Sequence, residues 1–248
     1  MTIFDDLEAE QQRLDGILAG LNQAQWASPS AAAGWSISDV VLHLAQSEEA
    51  VVASAVSTGT ALLGQNIASR PVGISVDGHA EQGVRAERDT TGPVLERWRQ
   101  ARIAALAGLR AAAPGQLLRW VEAPLKPATM ATTRLAEHWA HGLDIAEPLG
   151  ADFPDTPRLR HIAWLAHRTL PYALALAGQE PAEVSVMLTG PGGEEWQFGP
   201  AGARSSISGS AGAFCRVAAQ RVPPEQSGLR LAGPHAAVAL SVLRTYAA

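Results

Sequence analysis

Apolar residues three and four apart constrain this chain before anything else. Phe4, Leu7, Leu14, Ile17, Leu18 and Leu21 recur at helical spacing. That spacing puts an apolar stripe along one face of a helix, and the stripe has to be covered by other helices. "WASPSAAAGWS" breaks the pattern with Pro, Gly and Ser. Ser36 or Ser38 then caps a second helix that has Asp39 in its first turn, carries Val40, Val41, His43 and Leu44, and continues through "VVASAV". Residues 58 to 92 show no clear period. A third helix is predicted from Pro93 to the Pro114–Gly115 stop, and a fourth from Pro127 to Pro148–Gly150. Four such helices with one long connection make an antiparallel bundle the expected solution.

The pattern changes after Gly150. "RLRHIAWLAHRTLPYALALAG" reads as a helix, and "EVSVMLTGPGGEEWQFGP" as two strands around a Gly-rich turn. "GPGG" there is a hairpin turn and not a phosphate loop, because no Lys-Ser/Thr and no helix follows it. "RSSISG" reads as a third strand, and "SAGAFCRVAAQRV" and "HAAVALSVLRTYAA" as helices. The expected fold is mainly α: a helical bundle over residues 1–152, then a smaller α+β domain over residues 153–248.

Composition narrows the function. Hydrophobic residues make up 47% of the 248, enough for a core without a disulfide or metal staple. Cys215 is the single cysteine, which excludes an internal disulfide and the Cys-rich zinc frameworks. It sits in the apolar stretch "AGAFCRVAA" and is expected to be buried. A net charge of -5 lacks the basic stripe of a nucleic-acid binder. No apolar run approaches a membrane span, and the start, "MTIFDDLEAE", is acidic where a secretory leader would be basic. The expectation is a cytoplasmic protein, monomeric or homodimeric, without nucleic-acid or membrane partners.

One stretch carries chemistry. In "EHWAHGLDI", Glu137 and His141 are four apart, so a helix places both on one face. Asp144, three residues on, lies on the same side and can hold the His141 imidazole from behind. His138, one step round from Glu137, is the poorer partner. In the second helix His43 interrupts an apolar stripe, and a buried ionisable group is costly unless paired or metal-bound. His43, Glu137 and His141 together would make a two-histidine, one-glutamate site of the kind known for catalytic zinc, with positions left open. On spacing alone, a solvated helix-surface pair and a satisfied core histidine stand beside that reading.

"GWSISDVVLHLAQSEEA", followed well down the chain by "EHWAHGLDI", resembles the DinB-like metal-binding family, and most of all its mycothiol-dependent maleylpyruvate isomerase branch. In that branch a Gly-Trp precedes the helix with a metal-binding His, and a Glu-x-x-x-His-Gly motif followed by Asp supplies two more ligands. Those positions fall here on His43, Glu137 and His141. "GPAGARSSISGSAGAFCRVAAQR" resembles the branch's C-terminal domain, including its Gln-Arg pair. The resemblance implies a DinB-like four-helix bundle and an open divalent-metal site, zinc first. It also implies a small thiol, mycothiol, as cosubstrate. In the isomerase reaction the thiolate adds to a conjugated double bond, the new single bond rotates, and thiolate departs to leave the trans isomer. In related transferases the thiolate displaces a leaving group and stays attached.

An anionic substrate suits the bidentate fork of Arg. Arg216 and Arg221, with Arg204 and Arg230 nearby, are the candidates. Arg221, in "AAQRV", is assigned the catalytic and substrate-binding role and Arg216 a substrate-binding one. Glu48 and Glu49 read as helix-face charges, and His161 and His167 as structural or interdomain. His79, in the loop-like "SVDGHAEQG", lies within possible reach of the open metal face. Trp35 reads as a packing anchor, and Trp98 and Trp120 as core. Two other readings compete: a thiol-independent metal-dependent hydrolase, lyase or cyclase, and a non-catalytic small-molecule-binding protein.

Overall fold

A computed structural model describes residues 2–56, 76–88, 93–121 and 123–245 of the chain. The chain divides into two compact units after Phe153.

The first unit is built from α1 (Ile3–Leu18), α2 (Gln23–Ala27), α3 (Ile37–Val56), α4 (Val76–Glu87), α5 (Val94–Ala111) and α6 (Pro127–Leu149). α3 packs most extensively on α5, and α1 on α6. Leu14 and Leu18 of α1, Val41 and Leu44 of α3, Trp98 of α5 and Ile145 of α6 meet in one core. Local chemistry sets the helix ends. Thr2 caps α1 in a reciprocal pair with Asp5. Of the two candidate serines before α3, it is Ser36 that caps: its Oγ accepts from the Asp39 backbone N–H at 3.2 Å, and the Asp39 carboxylate accepts from the Ser36 N–H at 2.8 Å. Pro127 occupies the first turn of α6, where its missing N–H costs nothing. Gly150 ends α6 at φ 61°, a left-handed conformation that an L side chain resists.

Two elements of this unit had no legible period. α2 falls between the first apolar stripe and the Pro/Gly/Ser break, overlapping the break only at Trp26 and Ala27. α4 forms within the unreadable 58–92 segment, whose other parts, Arg88 apart, lie outside the described residues. α4 is anchored by long-range polar contacts: Gln46 Nε2 donates to the Gly83 carbonyl at 3.1 Å, and Arg88 pairs with Asp39 at 2.9 Å.

The second unit holds α7 (Leu159–Leu176), β1 (Val184–Thr189), β2 (Glu195–Phe198), β3 (Ser205–Ser210), α8 (Ala211–Ala218), β4 (Arg230–Ala232) and α9 (Ala236–Val242). The strands form one sheet in the order β2-β1-β3-β4. β1 pairs antiparallel with β2, opposite the Gly-rich turn, and parallel with β3. Val186 lies beside Ile207 and Leu188 beside Trp196. All four are buried, so this face of the sheet is apolar, and α7, α8 and α9 pack on it. β4 completes the sheet beside β3. The sequence did not announce β4, because three exposed residues carry no alternation.

Candidate metal centre

Helices α3 and α6 supply the donors. His43 lies on α3 among Val40, Val41 and Leu44, which are fully buried. Glu137 and His141 project from consecutive turns of α6. One donor atom from each of His43, Glu137 and His141 lies within 4.8 Å of the other two. Among the described residues, this is the one group of three or more His, Cys, Asp and Glu with that spacing. Glu137 Oε2 is 3.6 Å from His43 Nε2 and 3.6 Å from His141 Nε2. All three side chains are half-buried, retaining 15%, 26% and 12% of their exposure in that order. Asp144 stands behind His141, its Oδ2 2.9 Å from Nδ1. It therefore accepts the Nδ1–H and leaves the Nε2 lone pair facing Glu137.

The electrostatics separate the two imidazoles. Burial lowers the His43 pKa below the usual histidine range, and the neighbouring Glu137 only partly opposes it. Burial also pulls His141 down, but hydrogen bonds to Asp144 and Glu137 outweigh it and the pKa rises. For Glu137, burial works toward a higher pKa; His141 and His43 override it and hold the carboxyl well below its ordinary range. Glu137 is thus a carboxylate, His43 a neutral base, and His141 a group whose proton a cation would displace. Two imidazole nitrogens and one carboxylate oxygen, with an acidic group fixing a ring tautomer, suit a borderline divalent ion such as zinc.

Trp35, expected only to pack, borders the donors. Its ring centroid is 5.2 Å from that of His43, and it stacks on His141 at 6.3 Å. The loop that carries it is tied to α6 by a bond from the Ala31 N–H to the Asp144 carbonyl at 2.8 Å. The Gly-Trp pair before α3 was the available sequence signal.

Several expectations need correction. Glu48 is not a helix-face charge: it is fully buried, and Arg134 Nε donates to its Oε1 at 2.9 Å. Glu49 does lie at the surface, paired with Arg97 at 2.7 Å. His138, read as the poorer partner of Glu137, is outside the donor group and has partners of its own. It is fully buried, accepts from Trp98 Nε1 at 3.2 Å, and donates from Nδ1 to the Arg134 carbonyl at 2.8 Å. Burial and the Arg134 charge push its pKa down to about 3. Trp98 is core as expected, whereas Trp120 is half-buried, with the Arg134 guanidinium 5.9 Å from its ring. His79 sits on α4 instead of in a loop.

The other candidates belong to the second unit. Cys215 is fully buried, its thiol pKa raised by loss of water. His167 faces the Val184 carbonyl at 3.1 Å and stacks on Phe198, a structural placement. His161 is half-buried on α7. Arg216 spends its fork on Asp155, with both bonds at 2.9 Å. Arg221 lines a cavity of about 280 Å³ with Gln220, Val222 and Leu240. Gln220 takes φ 61° at the end of α8 and donates to the Leu243 carbonyl at 2.9 Å. Gln220 thereby turns the chain, and Arg221 Nη1 donates back to the Ala219 carbonyl at 2.6 Å.

Comparison with known proteins agrees with this architecture. Residues 7–146 match the family model of the mycothiol maleylpyruvate isomerase N-terminal domain. An uncharacterized protein of Mycobacterium tuberculosis strain H37Rv is 38% identical over 219 residues, covering 87% of this chain and 84% of that protein. Its counterpart in strain CDC 1551 matches equally. The crystal structure of a mycothiol-dependent maleylpyruvate isomerase superposes with a TM-score of 0.59 at 16% identity, over 92% of this chain and 91% of that one. A histidine-to-alanine variant of that enzyme gives 0.60. At that identity the structural likeness speaks for the fold, while the family model spans more than half of the chain. The chain belongs to the mycothiol maleylpyruvate isomerase N-terminal domain family, the DinB-like branch that its helix motifs resemble.

Proposed function

We propose that this chain is a metal-dependent enzyme of small-molecule metabolism. On this reading it binds one divalent ion, zinc first, through His43, Glu137 and His141, and uses a low-molecular-weight thiol, mycothiol, against a small anionic substrate. The observation that carries the reading is the meeting of three donor atoms within 4.8 Å, with Asp144 behind one of them. When bound, such an ion supplies Lewis acidity and favours the thiolate over the thiol. Three protein ligands leave room for an outside group. Asp144 fixes the His141 tautomer, and Trp35 walls one side of the donors. Cys215 is buried with a raised pKa, so the nucleophilic thiol comes from outside the chain. We keep Arg221 as the candidate for the substrate's anionic group on the family resemblance of the Gln-Arg pair; in this structure its Nη1 donates to the Ala219 carbonyl at 2.6 Å. Isomerisation of a maleylpyruvate-like substrate is the reaction that the family suggests first.

The test has two arms. His43→Ala and His141→Ala should each lose bound metal in elemental analysis while keeping helical circular dichroism; full occupancy in both removes the ligand assignment. Turnover of a maleylpyruvate-like substrate should require added mycothiol and persist below the free thiol's pKa of about 8.5. Full-rate turnover of the true substrate without any thiol would replace this reading with that of a metal-dependent hydrolase, lyase or cyclase.

A further inference from the structure

A buried polar pair stands beside the three donors on the same two helices, and it is not built for stability. Glu48 on α3 and Arg134 on α6 are 0% and 2% exposed and joined at 2.9 Å. Glu48 Oε2 and Arg134 Nη2 are buried without a hydrogen-bond partner among the described residues. Burying two charges costs much of what their attraction returns, and unpaired polar atoms add to the cost. A well-packed apolar pair of similar volume would be at least as stable there. A charged pair offers something else: it bonds at one register, whereas an apolar face tolerates sliding.

Register matters at this place because the donors are divided between the same two helices. His43 shares α3 with Glu48. Glu137 and His141 share α6 with Arg134, one turn from Glu137. Sliding α6 by one residue moves its side chains by about 1.5 Å along the axis. Metal–ligand distances tolerate about 0.2 Å. The Trp98–His138 bond ties α5 to the next turn of α6, and the Arg134 guanidinium lies 5.9 Å from the Trp120 ring. The stretch of α6 from Arg134 to His138, which spans the ligand Glu137, is therefore held by several contacts.

We propose that the Glu48–Arg134 pair is the register clamp of the metal centre. It sets α3 against α6 so that His43 meets Glu137 and His141. Both members are positioning residues and neither is a ligand. The inference rests on the metal reading given above.

The double variant Glu48→Leu/Arg134→Met removes both charges together and keeps apolar volume. It should unfold cooperatively at or above the wild-type midpoint. Its zinc affinity, measured against a competing chelator, should fall about 10- to 100-fold, and the visible spectrum of its cobalt form should change. Glu48→Asp keeps the charge but shortens the reach by one methylene, and it should shift affinity and spectrum in the same direction. Wild-type zinc affinity and cobalt spectrum in both variants would overturn the clamp. If the double variant shows no cooperative transition, Glu48→Asp decides by the same two readings. Wild-type protein that binds no zinc would remove the metal reading and the clamp together; unaltered variants of a zinc-binding wild type would remove the clamp alone.

Discussion

At the scale of single residues, each ring nitrogen has a distinct task. His138 is consumed by structure, with one nitrogen on Trp98 and the other on a helix carbonyl. His141, three residues on, commits only Nδ1, to Asp144, and keeps Nε2 for the donor cluster. The difference comes from what the bundle packs against each position, not from the residue type. Asp144 is the dependent partner in this arrangement. Asp144→Asn keeps the shape but loses the charge that orients the ring. Zinc affinity should drop about 10- to 100-fold, read by chelator competition, with little change in the unfolding midpoint. Unchanged affinity would make Asp144 a packing group.

At the scale of the element, α6 owes its position to a residue that weakens it as a helix. Gly142 costs about 1 kcal/mol of helix propensity relative to alanine. A Cβ at that position would stand within 3.0 Å of three ring carbons of Phe153. The ring cannot retreat freely, because the Arg13 guanidinium lies 3.4 Å from its centre on α1's side. The glycine after His141 therefore lets the chain beyond α6 fold back against the helix. Gly142→Ala should be net destabilising by about 1–3 kcal/mol, since overpacking outweighs the propensity gain. A thermal midpoint at or above wild type would show that Phe153 moves aside at little cost.

At the scale of the whole molecule, acid sensitivity follows from the buried polar layer. The His138 pKa is about 3 when folded, against about 6.5 in an unfolded chain. The unfolded chain therefore takes up a proton that the folded one refuses. This contribution is complete above pH 6.5 and is lost as pH falls from 6.5 toward 3, by up to about 1.4 kcal/mol per unit. Denaturant unfolding of metal-free protein should show a steeper loss between pH 7 and 5 for wild type than for His138→Gln. Parallel curves would mean that other groups dominate the acid response. Among the described residues no helix is long and apolar enough to cross a membrane.

Much was determined by the sequence alone. The 3.6-residue stripes specify α1, α3, α5 and α6, and Pro127 and Gly150 mark the ends of α6, because amphipathic spacing, Pro at a helix start and Gly at a helix end are local properties; α1 and α5 stop at Leu18 and Ala111, about a turn short of their expected ends. The same spacing set Glu137 and His141 on one face. Glu48 was legible too, and was misread: with Val41, Leu44, Ala45 and Val51 it falls on the buried stripe of α3, and so does Arg134 with Met130, Leu135 and His138 on α6. Charge drew attention away from position. α4 and β4 were beyond reach, because both are held by contacts distant in sequence. Tertiary structure alone decided that His43 comes to the other two donors, ninety-odd residues away, that Trp35 borders them, and that the Arg216 fork goes to Asp155. Those outcomes depend on which faces of separate elements meet. Periodicity says that a face must be covered; it does not say by what.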